Sequence, residues 1–515
     1  MEDQKPTTPL AALREVRIQK AASLRALGLN PYPATSRRTT YAGPILADYA
    51  DWEGKPVTVS GRLLSWRRMG GLAFGHVLDQ TGTIQLVLRR NSLAPTDAAA
   101  GTLGYEDLGL LDMGDIVEAS GVVGKTKTGE TSILADSFRI LTKSLRPLPE
   151  KWSGMKDREL ILRKRYLDTT INPEKKKTFE AVAGMLHQIR VFLQGRGFIE
   201  IPTPILQPQY GGGTAKPFLT HVNALSCDMY LSISHELYLK RLIAAGFDKV
   251  YTIGRYFRNE GIDRSHHPEF QMVETMTAYE NYEYNMQLIE DLFRHIAEQV
   301  FGRTVFTVRG HEIDFARPWP RLRMADLVRE KTGVDFLSLA TPDDANTALA
   351  GIGVHDPQPS VGEALVAAFE EKVAPQLIQP TLVFGHPMEI SPLAKPMDSD
   401  PRFAERFEIF IAGMECGDNW SEQNDPVQLL ERWRAAYRPE DRDSGEFHPL
   451  DFDFVEMLEH GMPPTTGIGP GIERMAMIFT GAEDIYDVIF FPLMKPHLSM
   501  VNRRIYGVEE PGETE

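Results

Sequence analysis

The stretch RNEGIDRSHHPEFQ, from Arg258 to Gln271, decides how the chain is interpreted. KVYTIGRYF precedes it and FQMVETMTAY follows it, and both flanks are rich in β-branched and aromatic residues. The stretch is therefore predicted to be the loop that joins two antiparallel strands. The adjacent His266 and His267 would diverge in an extended chain, so they are a poor chelating pair, and a zinc site is disfavoured.

Side chains of several chemical types are expected on one surface of this hairpin. The alternation of a strand places four residues of the second strand on one face: Phe270, Met272, Glu274 and Met276. Arg258 could bridge a carboxylate and a phosphate, Phe270 could stack on a purine, and Glu274 could accept from an α-ammonium group. The surface suits ATP and an amino acid. A solvated surface hairpin remains open on these residues alone.

A second segment near the C-terminus, PPTTGIGPGIERMAMIFTG, has the composition of a ligand-binding turn. Gly467, Gly469 and Gly471 precede a helix-like run, and a glycine-rich entry lets backbone approach a ligand. The helix N-terminus favours phosphate, and Arg474 is expected in its first turn. The glycine spacing differs from the dinucleotide-binding motif and from the P-loop, so neither of those sites is supported.

Composition sets broad limits on the chain. It has 515 residues, 42% of them hydrophobic and 25% charged, with a net charge of -15 and a polar N-terminus. Apolar runs fall short of the roughly 18 residues of a membrane span, so we expect a cytoplasmic protein without a membrane partner. Two distant cysteines, Cys227 and Cys416, do not suggest a disulfide framework.

The chain is predicted to divide into four parts. Residues 1–50 form a helical extension, in which LAALREVRIQKAASLRALG indicates an amphipathic helix with a basic face. Residues 51–145 contain about five short strands separated by glycine-containing turns, which fits a barrel of the OB type. Such barrels often bind single-stranded nucleic acid, although ordinary barrel surface is equally compatible with the residues. Residues 146–160 form a linker, and residues 161–515 a mixed α and β domain.

Motifs along most of the chain resemble one enzyme family. Four segments resemble the signature motifs of class II aminoacyl-tRNA synthetases: FRNEG, HHPEF, GIGPGIERMAM and GFIEIPTPIL. Five more look like bacterial lysyl-tRNA synthetases: LRPLPEKW, RKRYLDT, GGGTAKPF, HELYLKRL and SPLAK. The resemblance implies an α+β protein with an OB-type anticodon-binding barrel and an antiparallel-sheet catalytic domain. It also implies a homodimer formed through the segment around Pro204.

The resemblance also implies an activity, ATP-dependent activation of L-lysine to lysyl-adenylate and transfer to the 3′ end of tRNA(Lys). Arg258 and Arg474 match the catalytic arginines that bind the ATP phosphates and the reacting carboxylate. The remaining positions of the implied ATP site are Glu260, His266, Phe270 and Glu415. Glu408 and Glu415 match ligands of Mg²⁺. Both lie in the strand-like run RFEIFIAGMECG, where their spacing gives them opposite parity, so a bulge or bend near Gly413 is expected.

Six further residues match the amino-acid pocket of the family. Glu236 and Glu422 match the carboxylates that hold the lysine ε-ammonium, and Glu274 and Gly212 match groups around the α-ammonium. Met276 stands where the family usually has tyrosine. Asp418 stands where it has asparagine, and its charge would repel a substrate carboxylate unless a cation or a proton intervenes. In the barrel, the positions that match anticodon contacts are Arg67, Phe74, Gln85 and Glu130.

Two other functions are compatible with the same sequence. A paralogue could act on a lysine analogue or a protein acceptor, a possibility raised by Met276 and Asp418. A catalytically silent RNA-binding protein could keep the fold without the chemistry. Retention of Arg258, Arg474 and both implied metal ligands argues against that second alternative.

Overall fold

The computed structural model describes residues 9–149, 157–213, 215–436, 451–497 and 499–507. The chain divides into two compact units, residues 1–156 with 495–515, and residues 157–494. The C-terminal segment from Lys495 thus groups with the barrel unit, whereas the sequence-based division assigned it to the catalytic domain. Residues 150–156 of the predicted linker lie outside the described part of the chain.

The first unit contains a five-stranded barrel, as the sequence predicted. Its strands are β1 Pro56–Met69, β2 Leu72–Leu78, β3 Thr83–Arg89, β4 Ile116–Lys125 and β5 Thr131–Thr142. They pair in the order β1-β2-β3-β5-β4, and β4 pairs back onto β1, so the ring is closed. Only β3 and β5 run parallel among these pairs. The helices of this unit are α1 Pro9–Ala26, α2 Ala42–Ala47, α3 Tyr49–Trp52 and α15 Met500–Tyr506.

Helix α1 differs from its predicted arrangement. Leu13 and Val16, expected on its apolar face, are 47% and 49% exposed, whereas Arg17 is buried. The Arg17 guanidinium donates to the carbonyl oxygens of Ser144, Arg146 and Met113, at 3.1, 3.0 and 3.2 Å. An arginine can satisfy several carbonyls at once, so the helix docks through Arg17 as well as through the buried Ala21 and Leu24. Arg17, which was assigned to the basic face of the helix, is therefore buried.

The second unit is built on an eight-stranded sheet of order β14-β15-β18-β19-β20-β11-β10-β6. Its strands are β6 Ile199–Glu200, β10 Lys249–Phe257, β11 Glu269–Ala278, β14 Arg321–Arg323, β15 Thr381–Phe384, β18 Arg406–Ile411, β19 Met414–Ser421 and β20 Thr465–Pro470. Neighbours are antiparallel except β10 with β6 and β14 with β15. The antiparallel hairpin predicted around the opening stretch is thus β10 and β11, and it lies inside this sheet.

Helices and smaller sheets surround the large sheet. The helices are α4 Arg158–Arg163, α5 Arg165–Ile171, α6 Lys176–Gly195, α7 Glu236–Ala244, α8 Tyr282–Phe301, α9 Met324–Thr332, α10 Pro342–Gly351, α11 Val361–Lys372, α12 Pro426–Ala436, α13 Phe452–Glu459 and α14 Ile472–Thr480. The other strands are β7 Leu206–Gln207, β8 Leu219–Val222, β9 Cys227–Leu231, β12 Val305–Val308, β13 His311–Asp314, β16 Pro396–Met397 and β17 Asp400–Ala404. No helix in the described part of the chain is long and apolar enough to cross a membrane.

The two faces of the large sheet have different chemistry. Buried residues of α6, α8 and α14 pack on one face, where Ile189, Phe293 and Phe479 join Val273 of β11 in one hydrophobic core. The next residues along β11, Met272 and Glu274, lie on the other face and line a cavity. Because alternate side chains of a strand point to opposite faces, β11 has one apolar side against the helices and one mixed side toward the cavity.

Candidate active site

A cavity of about 580 Å³ lies over the sheet of the second unit. All thirteen side chains or glycines predicted for the catalytic domain line it: Gly212, Glu236, Arg258, Glu260, His266, Phe270, Glu274, Met276, Glu408, Glu415, Asp418, Glu422 and Arg474. They come from α7, β11, β18, β19, α14 and the segments beside them. A volume of this size suits a nucleotide-sized ligand. The structure therefore brings the predicted residues together, while their individual roles stay predictions.

Two glycines of the C-terminal motif, Gly467 and Gly469, lie in strand β20, and Gly471 is the N-cap of helix α14. Gly467 pairs with Met276 of β11, and a Cβ added to Gly467 would lie 2.5 Å from Met276 Cε. A Cβ on Gly469 would similarly lie 2.9 Å from Met272 Cε. These glycines therefore leave space for the methionine side chains of the neighbouring strand, which form part of the cavity wall.

The loop between β10 and β11 fixes Arg258. Its backbone N–H donates to the Pro268 carbonyl at 2.9 Å, closing the loop at its base. The guanidinium carbon lies 5.3 Å from the centre of the Phe270 ring. In the described part of the chain, Arg258 Nε is buried without a hydrogen-bond partner. A buried donor of this kind is costly unless a ligand satisfies it, so it marks a place for an anion.

Arg474 connects this loop to the helix after β20. It lies in the first turn of α14, as predicted, and its Nη2 contacts His266 Nε2 at 3.1 Å. Its Nη1 donates to the Glu415 carbonyl at 2.7 Å and pairs with the Glu415 carboxylate. The Nδ1 of His266 contacts the Asp263 carboxylate at 2.8 Å. His266 thus positions an arginine in this structure.

His267 is a buried anchor of the loop. Its Nδ1–H donates to the Glu269 carbonyl, and its Nε2 accepts from the Leu493 backbone N–H at 2.8 Å. Its ring also packs edge-on against Tyr486, with centroids 5.6 Å apart. The two hydrogen bonds fix the neutral tautomer. The residue therefore fastens the loop to the segment that follows α14.

The carboxylates predicted as metal ligands lie on two strands. The run from Arg406 to Ser421 is a hairpin of β18 and β19, whose turn contains Ala412 and Gly413 with φ of 52° and 72°. The bend expected near Gly413 is this turn, whereas the expectation that both glutamates lie on a single strand is wrong. The register instead shifts beside Cys416 on β19, since Ile409 pairs with Gly417 and Phe410 with Glu415. This bulge brings Glu415 to the cavity with Glu408.

Positively charged side chains lie beside Glu408, one of the two predicted metal ligands. Burial works to raise the pKa of Glu408, but His386 and Arg406 outweigh it and hold the pKa at about 2, so the group stays ionised. No cluster of three or more His, Cys, Asp or Glu that could hold a metal occurs within the described residues. Two hard oxygen ligands without a third fit a magnesium ion that shares its coordination with substrate phosphates. They do not fit a metal held by protein alone.

Asp418 is neutralised from within the protein. Arg406 Nε and Nη2 contact its two carboxylate oxygens at 3.0 and 2.7 Å, a bidentate pair. Burial nevertheless raises the pKa of Asp418 to about 6. The cation that the sequence required for a carboxylate at this position is thus present in Arg406. Arg406 also contacts Glu408 at 2.8 Å, so one arginine serves two acidic groups.

Two buried carboxylates define the acidic end of the cavity. Lys240 Nζ pairs with Glu236 and contacts Glu422 Oε2 at 2.5 Å. Trp420 Nε1 donates to the same Oε2 at 2.7 Å, whereas Glu422 Oε1 is buried without a partner among the described residues. Burial, opposed by Lys240, raises the pKa of Glu422 to about 8. An unpartnered carboxylate oxygen beside a cavity is suited to a cationic ligand.

Glu274 forms a third acidic position, held by the segment before α7. Ser234 Oγ donates to Glu274 Oε1 at 2.9 Å, and the His235 N–H donates to Oε2 at 3.1 Å. Burial raises the pKa of Glu274. Gly212 approaches this segment with φ of 79°, and a Cβ there would lie 2.7 Å from Ser234 Oγ. Glycine is therefore required at position 212 for both conformation and space.

The predicted anticodon residues share a surface of the barrel. Arg67 on β1 pairs with Phe74 on β2, and its guanidinium carbon lies 5.8 Å from the Phe74 ring centre. Gln85 Nε2 donates to Glu130 at 2.7 Å, and His76 Nε2 contacts the other oxygen of that carboxylate at 2.8 Å. The face therefore combines an aromatic plate, a cation and fixed polar groups.

The sequence interpretation did not single out three residues of these networks. Lys240 lies one helical turn after Glu236, a spacing that would have suggested the ion pair. Arg406 lies two residues before Glu408 on a strand, so the same face was predictable. His76 alternates with Phe74 on β2 and would have been expected beside it. In each case the spacing predicts the contact with the nearby residue, but it does not predict the partner that is distant in the sequence.

Comparisons with known proteins agree with this geometry. Residues 157–495 match the family described as tRNA synthetases class II (D, K and N), and residues 57–141 match the OB-fold nucleic acid binding domain. A "Lysine--tRNA ligase" of Pelotomaculum thermopropionicum is 46% identical over 95% of this chain and 96% of its own length. Proteins of the same name from Carboxydothermus hydrogenoformans and Fervidobacterium nodosum are 43% and 44% identical, each over 95% of this chain and 99% and 95% of their own lengths. The chain belongs to the class II tRNA synthetases of the aspartate, lysine and asparagine group.

Proposed function

We propose that this protein activates L-lysine with ATP and transfers the lysyl group to the 3′ end of tRNA(Lys). One observation carries the proposal: a single cavity holds an unpartnered arginine nitrogen and an unpartnered carboxylate oxygen, Arg258 Nε and Glu422 Oε1. The first suits a phosphate or carboxylate and the second an ammonium group. Similarity to proteins named "Lysine--tRNA ligase" over almost the whole chain supports lysine as the amino acid.

The proposed reaction needs no protein nucleophile. The lysine carboxylate attacks the α-phosphate of ATP, forming the mixed anhydride and releasing pyrophosphate. A ribose hydroxyl of tRNA then attacks the acyl carbon, which forms the ester and releases AMP. Arg258 and Arg474 hold the negative charge of the reacting groups, Phe270 stacks on adenine, and Glu260 and His266 border the nucleotide. Glu274 and Gly212 hold the α-ammonium. Catalysis then comes from positioning and charge neutralisation.

Divalent metal enters the proposal through two residues. Glu408 and Glu415 would hold Mg²⁺ together with ATP phosphates, and the ion would supply neutralisation of phosphate charge. The low pKa of Glu408, about 2, keeps its carboxylate available for a cation over the physiological range. Removal of metal with a chelator should stop exchange of pyrophosphate, and added Mg²⁺ should restore it. Unchanged exchange in excess chelator would contradict the metal assignment.

One assay separates the proposal from its rivals. Amino-acid-dependent exchange of labelled pyrophosphate into ATP is measured across the amino acids and lysine analogues, followed by charging of purified tRNA(Lys). We expect exchange with lysine and charging of tRNA. No exchange with any amino acid would favour a silent RNA-binding protein. Exchange without charging, or a preference for an analogue, would favour a paralogue.

Lysine binding should depend on pH through Glu422. The raised pKa of about 8 means that this carboxyl holds a proton below pH 8 in the empty site. The lysine ε-ammonium requires the ionised form, so lysine must displace that proton. We expect KM for lysine to fall about tenfold per unit as pH rises from 6 to 8, then to level off. A lysine KM that is flat between pH 6 and 8, with normal KM for ATP, would contradict this assignment.

The barrel face is proposed to bind the anticodon loop through Arg67, Phe74, Gln85 and Glu130. Stacking of a base on an aromatic ring is worth about 1–3 kcal/mol. Phe74→Ala should therefore raise KM for tRNA(Lys) by about tenfold or more. Pyrophosphate exchange does not involve tRNA and reports whether the variant is intact. Met113→Ala, at an exposed residue outside these strands, is the matched control. Equal tRNA KM in both variants would remove Phe74 from the proposal.

We also propose that the protein acts in the cytoplasm as a homodimer. Around Pro204, several large apolar side chains are between 42% and 63% exposed: Val191, Ile199, Ile205, Leu206 and Leu219. Exposed apolar groups concentrated in one segment suit a contact between copies. Sedimentation equilibrium should give twice the chain mass of 57.9 kDa. A monomer at micromolar concentration would contradict the dimer.

A further inference from the structure

Lys240 lies behind the two carboxylates of the acidic end of the cavity. It is one helical turn beyond Glu236 on α7 and contacts both Glu236 and Glu422. Its side chain is 1% exposed, and its Nζ lies 5.7 Å from the ring centre of Phe454. Among the described residues that line the cavity, Glu236 and Glu422 are present and Lys240 is not. The ammonium therefore faces the carboxylates from the protein interior and does not occupy the ligand space.

We propose that Lys240 is a specificity-determining positioning residue, a fixed internal cation that leaves the acidic end with one net negative charge. When lysine binds and displaces the proton of Glu422, two ionised carboxylates and one ammonium give that charge, so this end accepts a substrate with one side-chain cation. The inference rests on the proposed activation of lysine. It goes beyond that function by assigning the selection of charge to a residue that does not touch the substrate.

The hydrogen bonds explain how Lys240 acts through Glu422. Lys240 Nζ and Trp420 Nε1 both occupy Oε2 of that carboxylate, at 2.5 and 2.7 Å. This fixes the rotation of the group and leaves Oε1 without a partner in the described part of the chain. A Cβ at the cavity-lining Gly467 would lie 2.9 Å from that Oε1, which places the free oxygen beside the cavity wall. The free oxygen is the natural acceptor for an incoming ammonium group.

Net charge explains the discrimination. With both carboxylates ionised, lysine neutralises the site, whereas norleucine, an uncharged analogue that lacks the ε-ammonium group, would leave a buried negative charge unpaired. Burial works to lower the pKa of Lys240, but the two carboxylates outweigh it and raise that pKa, so the internal cation is retained. A site with no internal cation would carry two negative charges. A site with one carboxylate and Lys240 would carry none.

A double-mutant cycle tests this charge rule. Glu236→Gln leaves the site neutral, and the combination of Glu236→Gln with Lys240→Gln restores one negative charge. The readout is the ratio of kcat/KM for lysine to kcat/KM for norleucine in pyrophosphate exchange, because a general loss of activity cancels in the ratio. We expect Glu236→Gln to lower this ratio strongly. The ratio of the double variant should be at least tenfold higher than that of Glu236→Gln, a coupling typical of residues in contact. Lys240→Arg, which keeps the cation, should stay close to wild type.

The possible results separate the hypotheses. If the double variant discriminates lysine from norleucine no more strongly than Glu236→Gln does, the proposed role of Lys240 is overturned. The ion pair is then purely structural. Thermal melting and KM for ATP verify that each variant is folded. If Lys240→Gln does not fold, Lys240→Met gives the same charge with a flexible apolar chain and is subject to the same expectation. Failure of the wild type to exchange with lysine would instead overturn the proposed function, so the two failures are distinguishable.

Discussion

Arg258→Ala is expected to lower kcat for lysine-dependent pyrophosphate exchange about 10³-fold. Removal of one preorganised donor from a developing charge commonly costs about 10²–10³ in rate, and here a complete guanidinium is lost. The side chain is fixed by the Phe270 ring and by the Pro268 carbonyl that holds its backbone, so a neighbouring residue cannot replace it. Its Nε is buried and unpartnered in the described part of the chain, which indicates that the charge is reserved for a ligand.

The control for this variant is Arg255→Ala. Arg255 lies on β10, three residues before Arg258, is exposed, and pairs with Glu269 at 3.3 Å on the surface. Surface ion pairs contribute about 0–1 kcal/mol, so exchange should stay within twofold of wild type. Arg258→Lys should recover only part of the loss, because an ammonium group cannot present the two-pronged geometry of guanidinium. Exchange by Arg258→Ala within tenfold of wild type would contradict the phosphate assignment.

The hairpin that contains Arg258 was predictable because its signals are local. Alternation along residues 270–276 correctly placed four side chains on one face, and the structure puts all four at the cavity. The hairpin formed by β18 and β19 was not predicted. Its turn uses Ala412 and Gly413, both with positive φ, and alanine seldom adopts that conformation. The run from Arg406 therefore looked like one strand, and the parity of Glu408 and Glu415 was misjudged.

Other features depend on partners far away in the sequence. The glycines of β20 predicted a ligand-binding turn, but Gly467 is required by Met276, which lies opposite it on another strand. Similarly, Asp418 looked like an uncompensated charge until the fold placed Arg406 beside it. Residue type and spacing indicated which groups would form the site. Their neutralisation is a property of tertiary contacts, which a local pattern does not contain.

Glu422→Gln is the second large effect expected, a loss of about 10²–10³-fold in kcat/KM for lysine. This is the range for breaking a buried ion pair by removing one partner. The geometry sharpens the expectation. Two donors, Lys240 Nζ and Trp420 Nε1, already occupy the Oε2 position, so the amide oxygen of glutamine takes that place. The amide NH₂ then occupies the position of Oε1 and presents a donor, not an acceptor, to the incoming ammonium.

Several measurements distinguish this loss from general damage. KM for ATP should change little, because the ammonium end is chemically separate from the arginines, and the rise in lysine affinity between pH 6 and 8 should disappear with the titrating carboxyl. Glu280→Gln, at an exposed glutamate, is the matched control and should behave like wild type. If Glu422→Gln retains normal KM for lysine, the ε-ammonium must bind elsewhere. Glu274 would then be the next carboxylate to test, because it lines the same cavity and its two oxygens are held by Ser234 and His235.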